Sequence, residues 1–243
     1  MAINDPTYFI GGCNVGVYNS ATLVIEPFAA WLWNGSSGGD IINLTTTLYP
    51  DMRNIGLNGV DVNPNGQGNM CPDGCYDIYM IYNPTTQDVG FICSLSGSWG
   101  GVRAPSGYTW YRKLMYGVLV YGRQLAANHT ANWPMPTVML STPILITEIK
   151  QASTNWITLD LSKYTPENSR YAWYRIVCLN SPVNAYLAPT ASTQYAKLVS
   201  YNQLGVFGGL GCRIQGGQLG YAQMFNGGEM DIYLDGWSQT EVS

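Results

Sequence analysis

Residues 75–123 decide the fold, with the sequence CYDIYMIYNPTTQDVGFICSLSGSWGGVRAPSGYTWYRKLMYGVLVYGR. Within 76–82, apolar or aromatic side chains occupy every second position, and this period of two predicts a strand with both faces at least partly covered. Residues 83–88, NPTTQD, predict a turn because Asn and Pro favour chain reversal. Residues 89–94 return as the partner strand, and a glycine-rich loop leads to a long aromatic strand at 108–121. The block therefore predicts a hairpin, a loop and a third strand.

Two parts of this block, YMIYNPTT at 79–86 and PSGYTWYR at 105–112, resemble a β-sandwich module that recurs in virion proteins of tailed bacteriophages, especially fibre and tail-associated proteins. The resemblance implies a structural or adhesive part of the particle, located in the virion and assembled in the cytoplasm of the host bacterium. It implies other virion proteins of the tail or capsid as partners, and a homo-oligomer, with a trimer as the usual state of such proteins. It carries no catalytic residue over to this chain.

Short apolar segments separated by Gly, Asn and Pro turns continue along the rest of the chain. No stretch shows a sustained helical period, so the pattern predicts an all-β fold. We expect an antiparallel β-sandwich or jelly roll, with long glycine-rich loops and little helix. We also expect a single domain over residues 1–243, in which 1–70 supply lead-in strands and loops, 71–235 form the main sandwich and 236–243 are a polar tail.

Charged side chains are scarce, at 11% of the 243 residues, whereas soluble domains usually have roughly 25%. Because a monomer with this few charged side chains is poorly solvated, the composition favours a protein that buries much of its surface against other subunits. The 11 Lys and Arg residues are scattered and the net charge is −4, which argues against nucleic-acid binding because phosphates attract clustered cations. Membrane insertion is not expected because no apolar run approaches the length of a spanning helix. The N-terminus has neither the basic nor the apolar segment of a signal peptide.

The residue types that do chemistry form no recognisable catalytic set. His129 is the one histidine in the sequence, and no nucleophile motif surrounds any Ser, so a Ser-His-Asp or Cys-His arrangement is not predicted. Cys71 and Cys75 flank a Pro-Asp-Gly turn. Three alternatives stay open: a zinc ion with Cys93 as a third ligand, a disulfide between Cys71 and Cys75, or plain thiols beside a turn. We expect no catalytic residue, no cofactor and no bound metal, and we interpret the chain as a non-enzyme.

These observations support two hypotheses of different classes. The first is a non-enzymatic structural component of a tailed phage particle, oligomeric, and either tail- or fibre-associated or decorating the capsid surface. The second is a receptor module of a tail fibre that binds host carbohydrate. Trp33, which precedes a glycine loop, and Trp99, within Ser-Trp-Gly-Gly, are its candidate ligand contacts because an aromatic ring can stack on a sugar.

A third alternative is a fibre-borne glycosidase, which needs two carboxyl groups facing each other across a cleft. Asp73 with Asp77, and Asp231 with Asp235, are the pairs considered. The second pair alternates with apolar residues, which is typical of the solvent face of a final strand.

Three structural expectations follow from the same patterns. The segment 116–121 contains no charge, so we expect a neighbouring copy or another virion protein to cover its edge, with Val118 and Val120 as partner contacts. Gly107 lies where the chain must turn sharply, and we expect a backbone conformation there that other residues resist, unlike at Gly101. The predicted core includes Ile78, Met80, Phe91, Tyr108, Trp110, Trp173 and Ile176.

Overall fold

The alternation seen at 76–82 recurs along the chain and builds most of it into strands. The computed structural model describes residues 10–11, 13–36, 38–62, 68–95, 99–130, 137–166, 169–180, 183–201, 204–214 and 219–239. The chain divides into two compact units, Met1–Trp133 and Pro134–Ser243. This boundary falls inside the range 71–235 that we assigned to one main sandwich, and the expectation of a single domain stays a prediction.

The strands of the first unit are β1 (Ile10–Gly11), β2 (Val15–Val17), β3 (Leu23–Ile25), β4 (Phe28–Trp33), β5 (Gly39–Leu44), β6 (Gly59–Val60), β7 (Gly74–Asn83), β8 (Asp88–Ser94), β9 (Trp110–Tyr121), β10 (Gln124–Leu125) and β11 (Ala127–Thr130). The main sheet has the order β1-β4-β9-β7-β8-β6, with β5 beside β4 and β10 beside β9. β2 and β3 form a separate antiparallel pair, and β6 runs parallel to β8. A short 3-10 helix spans Trp99–Gly101.

The β7–β8 hairpin forms where the sequence NPTTQD predicts a turn. The Asn83 side-chain oxygen accepts hydrogen bonds from the backbone N–H groups of Thr85 at 3.0 Å and Thr86 at 3.3 Å. The Gln87 N–H donates to the Asn83 carbonyl at 2.8 Å. These bonds hold the reversal, because an Asn side chain can replace part of a backbone turn.

Gly107 lies beside this turn. Its φ is +85°, and a Cβ there would lie 2.6 Å from Nδ2 of Asn83. Both the left-handed backbone and the close approach need glycine. The predicted special conformation at Gly107 is therefore confirmed.

The core of the first unit lies on one face of the main sheet. Ile78 and Met80 of β7 point into it, and Phe91 of β8 lies opposite Met80. Leu23 and Ile25 of β3 belong to the same buried cluster. The β2–β3 pair therefore packs over this face. Ile78, Met80 and Phe91 are fully buried, as predicted.

Two other predicted core residues of this unit are only partly buried. Trp110 packs against the same core and meets Tyr82 edge-on, with ring centroids 5.7 Å apart. Tyr108 packs on the opposite face of the sheet, against a small cluster that includes Tyr79 and Ile81. Tyr108 precedes β9 rather than lying within it, so the alternation of the strand does not decide its direction.

The strands of the second unit are β12 (Thr137–Ile149), β13 (Ile157–Asp160), β14 (Ser169–Cys178), β15 (Val183–Ala188), β16 (Lys197–Tyr201), β17 (Gly205–Arg213), β18 (Leu219–Asn226) and β19 (Met230–Gln239). They pair antiparallel in the orders β12-β19-β14-β17 and β13-β18-β15-β16. Gly220 of β18 lies against Tyr174 of β14, where a Cβ would stand 2.5 Å from the hydroxyl. The two sets of strands therefore pack face to face. The predicted all-β, antiparallel and sandwich-like class is confirmed.

The buried face of β14 is the one that carries Tyr174, whereas we expected the face that carries Trp173 to be buried. Tyr174 and Ile176 are fully buried, so Ile176 was predicted correctly. Trp173 has the other parity and is only half-buried. Its indole N–H donates to the Ser238 hydroxyl at 3.1 Å. Placing Trp173 in the core was therefore wrong, because its ring lies on the outer face of the sheet.

The expected polar tail at 236–243 needs a correction. β19 continues to Gln239, and Trp237 is fully buried. Trp237 lies opposite Val138 of β12 and Ala172 of β14, so strands on both sides hold it. Polar composition alone suggested fraying, whereas pairing on both sides extends the strand. Residues 240–243 lie outside the described part of the chain.

Candidate functional site

The candidate site lies on the face of the first unit's sheet that is opposite the core. Alternation along β7 sends Ile78 and Met80 into the core and Tyr79 and Ile81 to the other face. Ile81 lies opposite Tyr111 of β9, so Tyr111 shares this second face.

Four aromatic side chains on this face form a continuous line, which we call the first row: Trp33, Tyr111, Trp99 and Tyr79. Trp33 at the end of β4 lies opposite Tyr111, and the two rings meet edge-on with centroids 5.4 Å apart. Trp99 stacks on Tyr111 at 4.0 Å, with an interplanar angle of 10°. Tyr79 and Trp99 meet at 5.7 Å and 53°. Such offset and edge contacts add to the stability gained from burial.

The first row runs from the interior to the surface. Tyr79 is 1% exposed, whereas Trp33 at the other end is 37% exposed. Trp99 and Tyr111 between them are half-buried. Val102 and Tyr108 pack against the Tyr79 end of the row, so the loop between β8 and β9 covers that end. A ligand can therefore reach the Trp33 end more readily than the Tyr79 end.

An ion pair lies beside the row. Lys113 of β9 is opposite Tyr79, and its ammonium lies 2.6 Å from a carboxylate oxygen of Asp77. Burial raises the pKa of Tyr79 above its ordinary value, and the Asp77 charge raises it further. Burial also raises the pKa of Tyr111. Both phenols are therefore neutral at physiological pH, and the row is an uncharged aromatic surface with one ion pair at its side.

The structure joins the two tryptophans that the sequence analysis proposed as separate ligand contacts. Trp33 and Trp99 both contact the ring of Tyr111. Trp99 is not an isolated loop aromatic, because one of its faces is covered by this stacking. Tyr111 and Tyr79 were not predicted as site residues, although the alternation that places Ile78 and Met80 together also places Tyr79 on the opposite face.

The two valines proposed as partner contacts require a correction. Val118 and Val120 are fully buried and belong to the core of the first unit. β7 pairs with this part of β9 on one side, with Tyr76 opposite Val118. On the other side β10 pairs with it, with Leu125 opposite Val120. Within the chain, β10 and the hydrogen bond from the Ala126 N–H to the Leu119 carbonyl therefore cover residues 119–121 of this edge, and both valine side chains point into the core rather than toward a neighbouring copy.

Comparison with known proteins finds no family model that matches this chain, and no curated protein or solved structure that is significantly similar to it. The function must therefore be argued from the geometry of the chain itself.

The cysteines and carboxylates considered for chemistry have structural surroundings. All six cysteines are free thiols, so Cys71 and Cys75 are not joined by a disulfide. Burial raises the pKa of Cys71 to about 11, which keeps this thiol protonated. Among the described residues, no group of three or more His, Cys, Asp or Glu side chains is arranged to hold a metal ion.

Three of the four aspartates have partners that explain their positions. Asp73 accepts backbone hydrogen bonds from Gly122 and Arg123 at 2.9 and 3.0 Å, which holds the turn after β9. Asp77 pairs with Lys113, as described above. Asp235 is buried and lies 3.0 Å from the guanidinium of Arg175. The expectation that Asp235 faces solvent was therefore wrong.

Asp231 is half-buried on β19. Burial raises the pKa of its carboxyl, and the negative charges of Glu148 and Glu229 raise it further.

In the described part of the chain, no helix is long and apolar enough to cross a membrane.

Proposed function

We propose that this chain is a non-enzymatic structural component of a tailed phage particle, which works as a homo-oligomer, associated with the tail or fibre or decorating the capsid surface. The observation that supports it best is the number of large apolar side chains exposed on strands of both units, in a chain where charges are scarce. Examples are Ile41 of β5, Leu145 of β12 and Val206 of β17.

Apolar side chains on strand faces are stabilised when a neighbouring protein removes them from water. The low charge strengthens this argument, because few charged side chains oppose association. A standard interface buries about 1,600 Å² in total, and a permanent contact within a particle should bury more.

The proposal is tested by the mass of the protein in solution and by the protein content of purified particles. Size-exclusion chromatography with light scattering at micromolar concentration should give an oligomer, and mass spectrometry should detect the chain in particles. A stable monomer that is absent from particles would contradict the proposal.

A matched pair of variants makes this test sharper. Ile41→Lys places a charge on an exposed apolar position, and Thr45→Lys places one on a nearby exposed polar position. If β5 contributes to the interface, the first variant lowers the fraction of oligomer and the second does not. Equal behaviour of the two would place the interface elsewhere on the chain.

A second candidate function, a receptor module that binds host carbohydrate, is favoured by the first row. Its exposed end, Trp33, is supported edge-on by Tyr111, which holds the indole in place before a ligand arrives. A pre-positioned ring loses little conformational freedom on binding. Adsorption to host cells and glycan-array binding should therefore weaken with Trp33→Ala. Tyr18→Ala, at an exposed aromatic outside the row, is the control. Unchanged binding by the Trp33 variant would exclude the row as a receptor site.

A further inference from the structure

A second line of aromatic rings lies on the second unit, and nothing in the sequence analysis pointed to it. It consists of Trp156, Tyr186 and Phe225, which we call the second row. The rings of Trp156 and Tyr186 stack with centroids 6.2 Å apart, and those of Tyr186 and Phe225 with centroids 4.8 Å apart. The interplanar angle is 30° in both pairs.

Strand alternation places the second row on the outer face of the sheet β13-β18-β15-β16. In β15, Ala185 and Leu187 point into the core, so Tyr186 between them points outward. Phe225 of β18 follows buried Met224 and also points outward. Trp156 immediately precedes β13, the strand next to β18.

The second row is open along its length. Phe225 is 42% exposed, and Trp156 and Tyr186 are half-buried by each other and by the sheet. Leu198, which lies opposite Tyr186 on β16, is 57% exposed and extends the apolar area. These rings are therefore not part of the core, and their exposure is not explained by the packing of the second unit.

Neutral hydrogen-bonding groups flank the rings. Gln223 lies opposite Tyr186 on β18, and its amide donates to the carbonyl of Thr154. Ser200 donates to the Asn184 side chain at 2.5 Å on the neighbouring pair of strands. The charged residue of β13, Asp160, lies opposite Leu219 at the start of β18, away from Phe225 near its end. Among the described residues of these strands, the positions that share the face of Tyr186 are therefore rich in amides and hydroxyls, with Asp160 as the charged one at the far end. Lys197, which precedes Leu198 and is exposed, lies opposite buried Leu187 and so has the other parity.

We propose that the second row is a binding platform for a neutral glycan chain. The C–H face of a sugar ring is apolar and stacks on aromatic rings, while its hydroxyls need donors and acceptors at the sides. Rings spread along an open sheet suit an extended chain better than a single small molecule. The charge of this face also selects the ligand. On these four strands the described positions that share the face of Tyr186 include no Lys or Arg, and the protein has a net charge of −4, so the face offers a polyanion little attraction.

This inference does not depend on the virion proposal, and it concerns a different unit from the first row. It is tested by affinity electrophoresis of the purified full chain in gels that contain dextran, amylose, mannan or a soluble β-glucan. Alginate serves as the anionic comparison. We expect retardation in at least one of the neutral gels and none in alginate. The absence of retardation in all neutral gels, or retardation in alginate alone, would overturn the proposal.

Variants connect retardation to the second row. Phe225→Ala and Trp156→Ala should each weaken binding about tenfold, as expected for the loss of one stacked ring. Phe225→Tyr keeps the ring and should retain binding. Val206→Ala, at an exposed apolar position of the same unit outside the row, is the matched control. Binding that survives both ring removals would overturn the assignment.

Two further readouts separate the alternatives. Circular dichroism melting checks that each variant is folded. We expect the Phe225 variants to fold, because the side chain of Phe225 is substantially exposed. Light scattering tests the other occupant of this face, a second copy of the chain. If Phe225→Ala converts an oligomer to a monomer while no glycan is bound, the face is an interface between copies and the proposal fails. Trp33→Ala should leave retardation unchanged, which distinguishes this site from the first row.

Discussion

The two aromatic rows are built from similar residue types but differ in how much of each row is covered. The first row begins at Tyr79, which is buried beneath the loop between β8 and β9, and reaches the surface only at Trp33. The second row, with Tyr186 at its centre, lies on an outer sheet face with no buried ring. Loop cover, rather than aromatic content, therefore separates a row that a ligand can reach only at Trp33 from a row that is open along its length.

The loss of unfolding free energy on ring removal should differ most between Tyr79 of the first row and Tyr186 of the second row. Tyr79→Ala deletes a fully buried ring and should cost about 3–5 kcal/mol of unfolding free energy, as for other large-to-small core changes. Tyr186→Ala removes a half-buried ring and should cost markedly less. Urea denaturation followed by circular dichroism measures both. Equal losses in the two variants would show that the rows do not differ in structural role.

Gly107 lies in the loop that covers the Tyr79 end of the first row, directly before Tyr108. Gly107→Val forces a branched side chain into a left-handed backbone and against Asn83, so it should cost about 2 kcal/mol or more. Gly100→Val in the same loop is the control, because a Cβ there meets nothing within 4 Å. The comparison is made on thermal melting midpoints. A Gly100 variant as damaged as the Gly107 variant would mean that the loop as a whole, not this backbone conformation, is sensitive.

Alkaline pH should lower the stability of the folded protein through Tyr79, the buried end of the first row. The pKa of Tyr79 is raised in the folded state, so the folded protein holds this proton more tightly than the unfolded chain. The stability this group contributes is complete below the unfolded pKa of about 10 and is lost as pH rises through the folded value. The loss is at most about 1.4 kcal/mol per pH unit for one tyrosine.

Buried Tyr76 and Tyr174, whose pKa values burial also raises, add to the same trend. Tyr79→Phe should therefore show a shallower decline of unfolding free energy above about pH 10 than the wild-type protein. Denaturation curves at several alkaline pH values measure the slope. An identical slope in the variant would indicate that Tyr79 ionises equally easily in the folded and unfolded states.

The smallest effect is expected at the open end of the second row. Phe225→Ala removes a ring that is substantially exposed and stacks on Tyr186 alone among its described ring contacts. Its loss should cost about 1 kcal/mol or less, since it mainly removes one aromatic contact. A melting midpoint that falls as far as that of Tyr79→Ala would show that Phe225 supports the fold, and would leave the second row without a separate role.

Local signals in the sequence were sufficient for the elements. The period of two at 76–82 predicted β7, and the Asn-Pro turn predicted its hairpin with β8, because alternation and turn chemistry act within a few residues. The need for glycine at Gly107 was also local, since it follows from a sharp turn. These features depend on neighbours in the chain and can be read without knowing the fold.

Which face of a strand is buried depended on the tertiary structure. Alternation divides Trp173 and Tyr174 between two faces but does not say which face meets the other sheet. The same applies to Val118 and Val120: alternation places them on one face of β9, and only the core packed against that face shows that it is the buried one. A period of two is symmetric, so only packing against a second layer breaks the symmetry.

The rows themselves were also decided by the tertiary structure. Trp33 meets Tyr111 because β4 pairs with β9, and Tyr186 meets Phe225 because β15 pairs with β18. A sequence shows aromatic residues and their periods but not the strand order that places distant positions side by side. The sequence by itself therefore determined that this protein is built of strands rich in aromatic residues. Strand pairing and loop cover decided which of those rings are buried and which face solvent, because both bring together residues that are far apart along the chain.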